Sequence, residues 1–452
     1  MNILMPYIVA VALFMETLDA TIIVTAIPTI AKDLLVDPIQ LKLAIMSYLL
    51  TLGLLIPMSG WMAERFGHKK VFLSAISIFI LGSIACGCSM TFLQLLLGRM
   101  VQGIGGAMML PVATLVVLNS VPKDQLTKVM GYITIPGVIG PMLGPSLGGI
   151  IVTYSSWRMI FFINVPIGLF GLWFANKHMS ATSIKGTEPF DWKGFFWFGL
   201  AMISIVLMIE SLGTPYMQYR IELCLFLLCG LSFSLYFKHA RSIESPMIHL
   251  DLFRIKTFNY YALSFMLLRI TLGGLGLLTP LLLQLALHYS PLISGFLLFS
   301  YGLALVVAKF LNHLALEKMS DRAWLLLNYL VVMCGILGMI FIDVTTSTSV
   351  IISLFVLQGF GVSIVSTNLY VMLYNDVPPL MRRHATGLGN MIMQLGLCFG
   401  TAIAGVLVNY FIEHSASAFD INLNAFYNSY YFFLVFCVLS LTVCLLQQSD
   451  LK

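Results

Sequence analysis

Four ionisable side chains, Glu16, Asp19, Arg99 and Arg269, lie inside long apolar stretches of this chain. Charged groups within a membrane span are costly, and by default they mark proton or ion pathways. Glu16 and Asp19 are three residues apart, so on a helix they share one face. At a rise of about 1.5 Å per residue, Asp19 and Arg99 fall at similar depths in a bilayer. The chemistry that these groups could carry out is the uptake and release of a proton.

Two interpretations of Asp19 and Arg99 are open. Burial disfavours an ionised carboxylate, whereas a neighbouring guanidinium favours it, so a site with both can change its protonation when water access changes. In the first interpretation, Asp19 is such a proton switch and Arg99 assists it. In the second, the two residues form a permanent ion pair that fixes the first apolar helix against the fourth.

Arg269 has no acidic partner evident at its own depth. It could face Glu16 across a central cavity, or it could bind an anionic group of a substrate. The alternative is hydrogen bonding to backbone carbonyls of a helix loosened by Gly273, Gly274 and Gly276. The sequence leaves these alternatives open.

Polar uncharged side chains recur in the same apolar stretches. Each of them alone is more often a hydrogen-bonding group between helices than a ligand. Together they predict a hydrated cavity that contacts a moderately polar solute. The predicted substrate-binding residues are Arg269, Tyr48, Gln102, Gln284, Gln358, Asn368, Asn390 and Gln394.

The composition places these groups in a membrane. Apolar residues make up 59% of the chain and charged residues 10%, against about 25% charged residues in a soluble domain. So few charges cannot cover a soluble surface, which excludes an ordinary cytosolic enzyme, a disordered chain and a nucleic-acid-binding protein. The eight cysteines lie in apolar runs without metal-ligand spacing, so no metal site is expected.

Apolar runs long enough to cross a bilayer predict 14 transmembrane helices. The first six form an N-terminal bundle over residues 1–176, and the last six form a C-terminal bundle over 258–452. Residues 177–257 contain two polar linkers and two additional helices. No cleavable leader is expected, because no basic segment or small-residue cleavage site precedes the first span. Numbered 1 to 14, the predicted helices run over about 5–30, 40–62, 70–90, 92–118, 125–152, 157–176, 194–211, 219–238, 258–284, 291–312, 323–343, 347–374, 384–410 and 426–446.

Most of the Lys and Arg residues outside the spans lie in or beside the even-numbered loops. These loops contain, among others, Lys69, Lys70, Lys123, Lys128, Lys185 and Lys318. The positive-inside rule therefore places the even-numbered loops and both termini in the cytoplasm. The predicted location is the cytoplasmic (inner) membrane.

Two segments of the chain match at a constant offset of 256 residues. The matched pairs are Gln102 and Gln358, Gly103 and Gly359, Gly105 and Gly361, Asn119 and Asn375, Val121 and Val377, Pro122 and Pro378, and Gly131 and Gly387. Both copies run in the same direction, so the repeat is parallel and its axis lies along the membrane normal. The repeat pairs helices 4 and 5 with helices 12 and 13. The alternative is chance matching of Gly and Pro among apolar residues.

Several motifs resemble signatures of the major facilitator superfamily. The segment 60–70 resembles its helix 2–3 loop motif, 95–107 its helix 4 motif, and 140–149 its helix 5 antiporter motif. Residues 18–28 and 157–168 resemble the 14-helix drug:proton antiporter branch, the Emr/Qac type. That branch often lacks an acid at the position of Glu16. An additional acid there could bind a cationic substrate or carry a second proton.

The resemblance implies an all-α multi-pass membrane protein with the major facilitator fold, built from two six-helix bundles and two inserted linker helices. It also implies that the helix 2–3 loop holds one transport state and that the helix 5 motif limits leak between the halves. The loop residues concerned are Gly60, Glu64, Arg65, Gly67, Lys69 and Lys70, and the helix 5 residues are Gly140, Gly144, Pro145, Gly148 and Gly149. Glycines at four-residue spacing also permit close helix contact on physical grounds. The alternative for the basic loop is a simple topology anchor.

We therefore expect a secondary exporter rather than an enzyme. It would move amphiphilic small molecules outward in exchange for protons by alternating access, as in multidrug efflux, with Asp19, Glu16 and Arg99 as coupling residues. No cofactor is expected, because the proton gradient supplies the energy and the sequence contains no phosphate-binding loop. The alternative is a dedicated exporter of one anionic metabolite or siderophore, with Arg269 binding the anion. The expected partners are the substrate, protons and the lipid bilayer; a periplasmic adaptor cannot be inferred from the sequence.

Overall fold

The computed structural model describes residues 5–120, 123–179, 189–213, 219–316, 320–414 and 423–449. Helices make up nearly all of these residues, and none of the described residues forms a β-strand. Four residues of the predicted repeat and basic loops, Val121, Pro122, Lys185 and Lys318, lie outside this set. For Asn119, Lys123, Lys128 and Gly131, only the helical backbone is described.

The described residues contain 14 helices that are long and apolar enough to cross a membrane, which confirms the predicted number. Helix 1 is Met5–Ile22, continued by the turn Ile23–Ala26 and by Ile27–Asp33. The others, in order, are Lys42–Phe66, His68–Gly87, Phe92–Ser120, Lys123–Tyr154, Met159–Phe162 with Asn164–His178, Trp192–Ser211, Tyr219–Ala240, Lys256–Leu281 with Leu282–Ala286, Pro291–Leu316, Asp321–Ile340, Thr348–Met372, Arg382–Glu413 and Leu423–Ser449. Short 3₁₀ turns, Leu250–Arg254 and Pro379–Met381, precede helices 9 and 13.

Helices 1 and 9 each change from α-helical winding to another helical type toward their C-terminal end. Helix 1 tightens into a 3₁₀ turn at Ile23–Ala26, and helix 9 widens into a π-turn at Leu282–Ala286. Each interruption lies beside a proline, Pro28 or Pro280, which cannot donate a helical hydrogen bond. Such irregular turns within long helices are frequent at functional sites and hinges.

The chain divides into two compact units, which are described separately below. Unit 1 comprises Met1–Thr187 and Thr279–Val365, and unit 2 comprises Glu188–Leu278 and Ser366–Lys452. Helices 1–6, 10 and 11 and most of helix 12 therefore belong to unit 1. The division into 1–176, 177–257 and 258–452 refers to the two bundles and stays a prediction.

The internal repeat is visible in the packing of helices 4 and 12 within unit 1. A Cβ atom at Gly103 would contact the backbone carbonyl of Tyr48 in helix 2, and one at Gly359 would contact that of Tyr301 in helix 10. The two tyrosines are 253 residues apart in the sequence. Both glycines thus permit the same close approach to equivalent helices.

The second glycine of each copy makes the equivalent contact with the next helix. A Cβ atom at Gly105 would meet the carbonyl of Ala75 in helix 3, and one at Gly361 would meet that of Asn328 in helix 11. Ala75 and Asn328 are again 253 residues apart. The repeat therefore extends to helices 2–3 and 10–11, which confirms a structural repeat rather than a chance match.

In unit 2, two glycines of helix 9, Gly273 and Gly274, lie in contacts between helices. Gly273 and Gly274 permit close contact of helix 9 with Leu397 of helix 13 and Phe433 of helix 14. The hydroxyl of Thr401 donates a hydrogen bond to the carbonyl of Gly273 at 3.2 Å. Helix 9 remains α-helical through this cluster. This regular winding does not match the alternative in which the glycines loosen the helix, and other helices occupy the space beside Gly273 and Gly274.

Candidate proton-coupling site

Asp19 lies fully buried in unit 1, at the point where helices 1, 4 and 6 meet. Its Oδ2 accepts a hydrogen bond from Nη1 of Arg99 at 2.5 Å. Its Oδ1 accepts bonds from Nδ2 of Asn164 at 2.7 Å and from Nε2 of Gln102 at 3.0 Å. The carboxylate thus has three donors from two other helices, one of them a charged guanidinium.

Arg99 is buried as completely as Asp19. Its Nη1 also donates to Oε1 of Gln102 at 2.8 Å, and its Nε donates to the carbonyl of Ala44 in helix 2 at 3.3 Å. The guanidinium carbon lies 4.3 Å from the ring centroid of Tyr48. Asp19 therefore neutralises the charge, and the carbonyl and the aromatic ring hold the guanidinium in place.

Helix 3 adds a second set of hydrogen bonds around Gln102. The amide Nε2 of Gln102 donates to Oγ of Ser83 at 2.7 Å, and the thiol of Cys86 donates to Oε1 of Gln102 at 3.4 Å. Helices 3 and 4 approach closely here because Gly82 faces Gln102 and Gly98 faces Cys86. Arg99 and Gln102 share one helix face, being three residues apart. Small residues in helix 3 and helix 4 thus position the polar cluster.

The structure confirms that Asp19 and Arg99 lie together, each within a helix long and apolar enough to cross a membrane. They form an ion pair, the geometry that the second interpretation requires; the proton switch stays a prediction. Three members of the cluster, Asn164, Ser83 and Cys86, were not predicted. In the sequence, Asn164 was the residue that could have indicated these additional members, because a buried amide in a membrane span is costly unless it is hydrogen-bonded.

Replacing Asn164 by Leu should lower the free energy of unfolding by about 1–3 kcal/mol, because the change removes a donor to a buried carboxylate. Thermal unfolding of the purified protein in detergent measures this. The control is Asn328→Leu in helix 11, an equally buried asparagine whose Nδ2 bonds only the carbonyl of Trp324 in its own helix. Equal losses in the two variants would contradict a specific role for Asn164.

Glu16 lies one helical turn before Asp19 and is 6% exposed. Its Oε2 is buried and has no hydrogen-bond partner among the described residues. The hydroxyl of Tyr48, in helix 2, is likewise buried without a hydrogen bond to any described residue. Glu16 interacts electrostatically with both Asp19 and Tyr48. Among the described residues, the site therefore contains one carboxylate with three hydrogen-bond donors and a second, Glu16, whose Oε2 has none.

The other predicted substrate residues of unit 1 lie in helix contacts. Gln102 is fully buried in the Asp19 cluster. Gln358 is buried against Gly335 of helix 11, as Gln102 is against Gly82. Gln284 donates from Nε2 to the carbonyl of Thr25 at 3.1 Å. This last bond connects the π-turn of helix 9 to the 3₁₀ turn of helix 1.

In unit 2, Arg269 is half-buried and its Nε donates to the carbonyl of Met393 in helix 13 at 3.4 Å. Its guanidinium carbon lies 5.6 Å from the ring centroid of Phe265. Arg269 therefore bonds a backbone carbonyl, as one of the alternatives requires. The carbonyl belongs to helix 13, however, and not to helix 9 itself. Of the remaining predicted residues, Asn390 accepts from the hydroxyl of Tyr370 at 2.9 Å, Gln394 is half-buried, and Asn368 is buried.

The helix 2–3 connection is a single residue, Gly67, with a φ of 88°. Glycine is favoured there because other residues rarely adopt that conformation. Nζ of Lys69 donates to the carbonyl of Asn176 near the end of helix 6 at 2.6 Å, a favourable place for a cation. Gly60, Glu64 and Arg65 lie in the last turns of helix 2, and Lys70 lies in the first turn of helix 3. The role of this loop in holding a transport state stays a prediction.

Helix 5 contacts helix 1 through the predicted glycines. Cβ atoms at Gly140 and Gly144 would collide with the hydroxyls of Thr17 and Thr21, and one at Gly148 would collide with the carbonyl of Ile22. The three glycines thus form a continuous surface on which helix 1 lies, which confirms the close packing expected from their spacing.

The other side of helix 5 contacts helix 10 within unit 1. A Cβ atom at Gly149 would meet the backbone of Pro291, and one at Gly295 would meet the carbonyl of Pro145. The hydroxyl of Thr25 in helix 1 donates to the same carbonyl of Pro145 at 3.1 Å. Helices 1, 5 and 10 therefore approach one another closely at these glycines and prolines. That geometry suits a tight seam, and its role in limiting leak stays a prediction.

Chemically, this arrangement can bind and release a proton or a cation. In the described part of the chain, no three His, Cys, Asp or Glu side chains come together as a metal site would require. The charged groups are a neutralised ion pair and one further acid, all within the membrane-spanning part of helices 1 and 4.

A sequence profile of the Major Facilitator Superfamily matches residues 9–401, and a second match covers 261–449. The chain belongs to the major facilitator superfamily. It is 36% identical over 420 residues to MdtD of Pectobacterium atrosepticum, and the match covers 91% of this chain and 88% of that protein. MdtD is provisionally named a multidrug resistance protein. It is 34% identical over 415 residues to HsrA of Haemophilus influenzae, covering 92% and 89%, whose name provisionally marks a transport protein.

Solved structures of transporters share this major facilitator fold at low identity. The POT family transporter PepTSo has a TM-score of 0.70 at 14% identity and covers 98% of each chain. A D-xylose–proton symporter has a TM-score of 0.66 at 13% identity and covers 97% of this chain and 96% of its own. These similarities show the fold alone. With the 14 helices and the MdtD relatives, they confirm the predicted fold class and the multidrug-type, 14-helix branch.

Proposed function

We propose that this superfamily member is a proton-coupled secondary transporter that exports amphiphilic small molecules by alternating access. The observation that carries the proposal is the buried Asp19–Arg99 pair with Glu16 one turn away. Ionisable groups are retained in membrane spans mainly where ions or protons move. The names of the MdtD relatives support a multidrug range of substrates.

The proton gradient is the proposed energy source, and the protein needs no cofactor for it. A single charge that crosses a potential of 100 mV releases about 2.3 kcal/mol, to which a pH difference adds. The proposed location is the inner membrane with both termini in the cytoplasm. The even number of helices and the basic residues of the even-numbered loops support this orientation.

Helix 1 is the element that would couple proton binding to movement. It carries both acids, contacts the helix 5 glycines over Thr17 and Thr21, and changes to 3₁₀ winding at Ile23–Ala26. A change in charge at either acid would alter the electrostatic balance around the Asp19–Arg99 pair, and the 3₁₀ turn gives helix 1 a place to bend. Transport would follow from the rocking of the two bundles about a midplane site.

Inverted vesicles that contain the purified protein test this proposal. With an acidic lumen imposed, we expect the vesicles to accumulate dyes or other amphiphilic solutes, and a protonophore should abolish the accumulation. A panel of a lipophilic cation, a neutral dye and a carboxylate-bearing chelate defines the substrate class. Solute movement that is unaffected by both the pH difference and the protonophore would contradict proton coupling.

A dedicated exporter of one anionic metabolite or siderophore is the second candidate. It is favoured by the guanidinium of Arg269, which interacts electrostatically with Tyr370, the hydrogen-bond donor to Asn390. In the same vesicles, Arg269→Ala should then abolish export of the anionic chelate and leave export of the lipophilic cation unchanged. Loss of cation export, or retention of anion export, would contradict this candidate.

A further inference from the structure

We propose that Glu16, rather than Asp19, is the carboxylate at which a proton is exchanged for the positive charge of a monovalent organic cation. This inference rests on the proposed proton-coupled export and assigns the two helix 1 acids different roles. Asp19 positions Arg99 and stays ionised, while Glu16 alternates between a neutral acid and a cation-bound carboxylate.

The hydrogen bonds and the ion pair that Asp19 makes oppose its protonation. A proton on Asp19 would have to displace Arg99, Gln102 or Asn164, which bond it at 2.5, 3.0 and 2.7 Å. It would also leave the fully buried Arg99 without its counter-charge. Breaking one partner out of a buried ion pair is strongly destabilising. The cluster thus stabilises one ionisation state of Asp19.

Glu16 has no comparable set of donors in the described part of the chain. Its Oε2 is buried and accepts no hydrogen bond from any described residue. The titratable groups that interact with it are Asp19 on its own helix and Tyr48 on helix 2. Neither of them brings a positive charge. The nearest cation of the cluster, Arg99, stacks on the Tyr48 ring and is already neutralised by Asp19.

The charges of Glu16, Asp19 and Arg99 in unit 1 do not sum to zero when both acids are ionised. Asp19 and Arg99 cancel, so an ionised Glu16 would be an uncompensated buried negative charge. Such a charge is unstable in a low-dielectric interior unless a proton or another cation neutralises it. Glu16 therefore requires either a bound proton or a bound cation whenever it is shielded from water.

These two requirements produce an exchange at one carboxyl group. On the cytoplasmic side, the O–H bond of Glu16 breaks, the proton passes to water, and the carboxylate pairs with the cationic group of the substrate. On the outer side, a hydronium ion gives its proton back to the carboxylate and the cation leaves. One positive charge moves in each direction, so the exchange is electroneutral. For a monovalent cation, this exchange therefore responds to the pH difference and not to the membrane potential, which contributes only when the exported solute carries a different charge.

Infrared difference spectroscopy of the full-length protein in lipid vesicles tests the assignment. At neutral pH, we expect the wild type to show the C=O stretching band of a protonated carboxylic acid, and this band should disappear when ethidium is added. The Glu16→Gln variant should lack the band. The band should persist in the matched control Glu413→Gln, an exposed acid at the end of helix 13. It should also persist when Asp19→Asn and Arg99→Gln are combined, a change that leaves no unpaired charge.

Three results would overturn the proposal: no carboxylic acid band in the wild type, a band that Glu16→Gln leaves in place, or a band that ethidium does not change. The separate transport assay keeps this inference distinct from the proposed function. If the wild type shows no proton-coupled transport, the proposed function fails. If transport is coupled but the band belongs to Asp19, only the role of Glu16 is wrong.

Discussion

The variant Asp19→Asn should lose about 3–5 kcal/mol of stability, because it leaves Arg99 as a buried charge without a counter-ion. Asparagine is close in size to aspartate, so the loss reports on charge rather than on packing. Thermal unfolding of the purified protein in detergent measures the effect. Adding Arg99→Gln to this variant should recover most of the lost stability, because the remaining polar groups are then neutral.

The control for this prediction is the ion pair between Asp33 and Arg158 within unit 1. Their side chains are 45% and 27% exposed, and the N–O distance is 2.8 Å. Because water screens an exposed pair, Asp33→Asn should cost at most about 1 kcal/mol. An Asp19→Asn variant as stable as the wild type would contradict the buried pair, and so would a double variant no more stable than Asp19→Asn alone.

The second large effect is expected at the contact between helices 1 and 5. Gly144→Ala places a Cβ atom against the hydroxyl of Thr21 and 3.1 Å from the backbone N of Ile22. Helix 1 must then move away, at a cost of about 1–3 kcal/mol. If helix 1 moves against helix 5 during transport, the same contact raises the barrier, and each 1.4 kcal/mol lowers the rate about tenfold.

The initial rate of solute transport in vesicles measures this effect, normalised to the amount of folded protein. Gly276→Ala in helix 9 is the matched control, because a Cβ atom at that position has no neighbour within 4 Å. We expect the rate of Gly144→Ala to fall about tenfold or more and that of Gly276→Ala to stay near the wild type. Equal rates in the two variants would show that this contact does not limit transport.

The fold could be predicted from the sequence because a bilayer imposes simple demands. A span must be apolar over about 20 residues, so hydropathy alone located all 14 helices. The meeting of Asp19 and Arg99 was also predictable, because depth along a helix follows from residue number. Both inferences use only distances along the chain.

The rest of the site depends on rotation about helix axes and on which helices are neighbours. Gln102 was assigned to a substrate cavity, yet Gly82 allows helix 3 to lie against it and to supply Ser83. In one of the open alternatives Gly273 helps to loosen helix 9, yet helix 13 lies against it. Glycine and amide side chains suit a cavity and a helix contact equally well in sequence, and only tertiary packing distinguishes the two.

The structure also distinguishes two carboxylates that the sequence places together. Glu16 and Asp19 share a helix face, but helices 4 and 6 supply all three donors to Asp19 and none to Oε2 of Glu16. The difference arises from neighbours that are 80 or more residues away in the chain. The difference between the roles proposed for the two acids therefore follows from their pairing rather than from their position.

The most direct test of the central claim counts protons and solute molecules in the same vesicles. An enclosed pH indicator reports proton movement while solute fluorescence reports transport, in the wild type and in Glu16→Gln combined with Asp19→Asn and Arg99→Gln. We expect proton movement to start with solute movement in the wild type, to run opposite to it, and to vanish in the combined variant. Solute transport without proton movement in the wild type, or unchanged coupling without the helix 1 acids, would contradict the account.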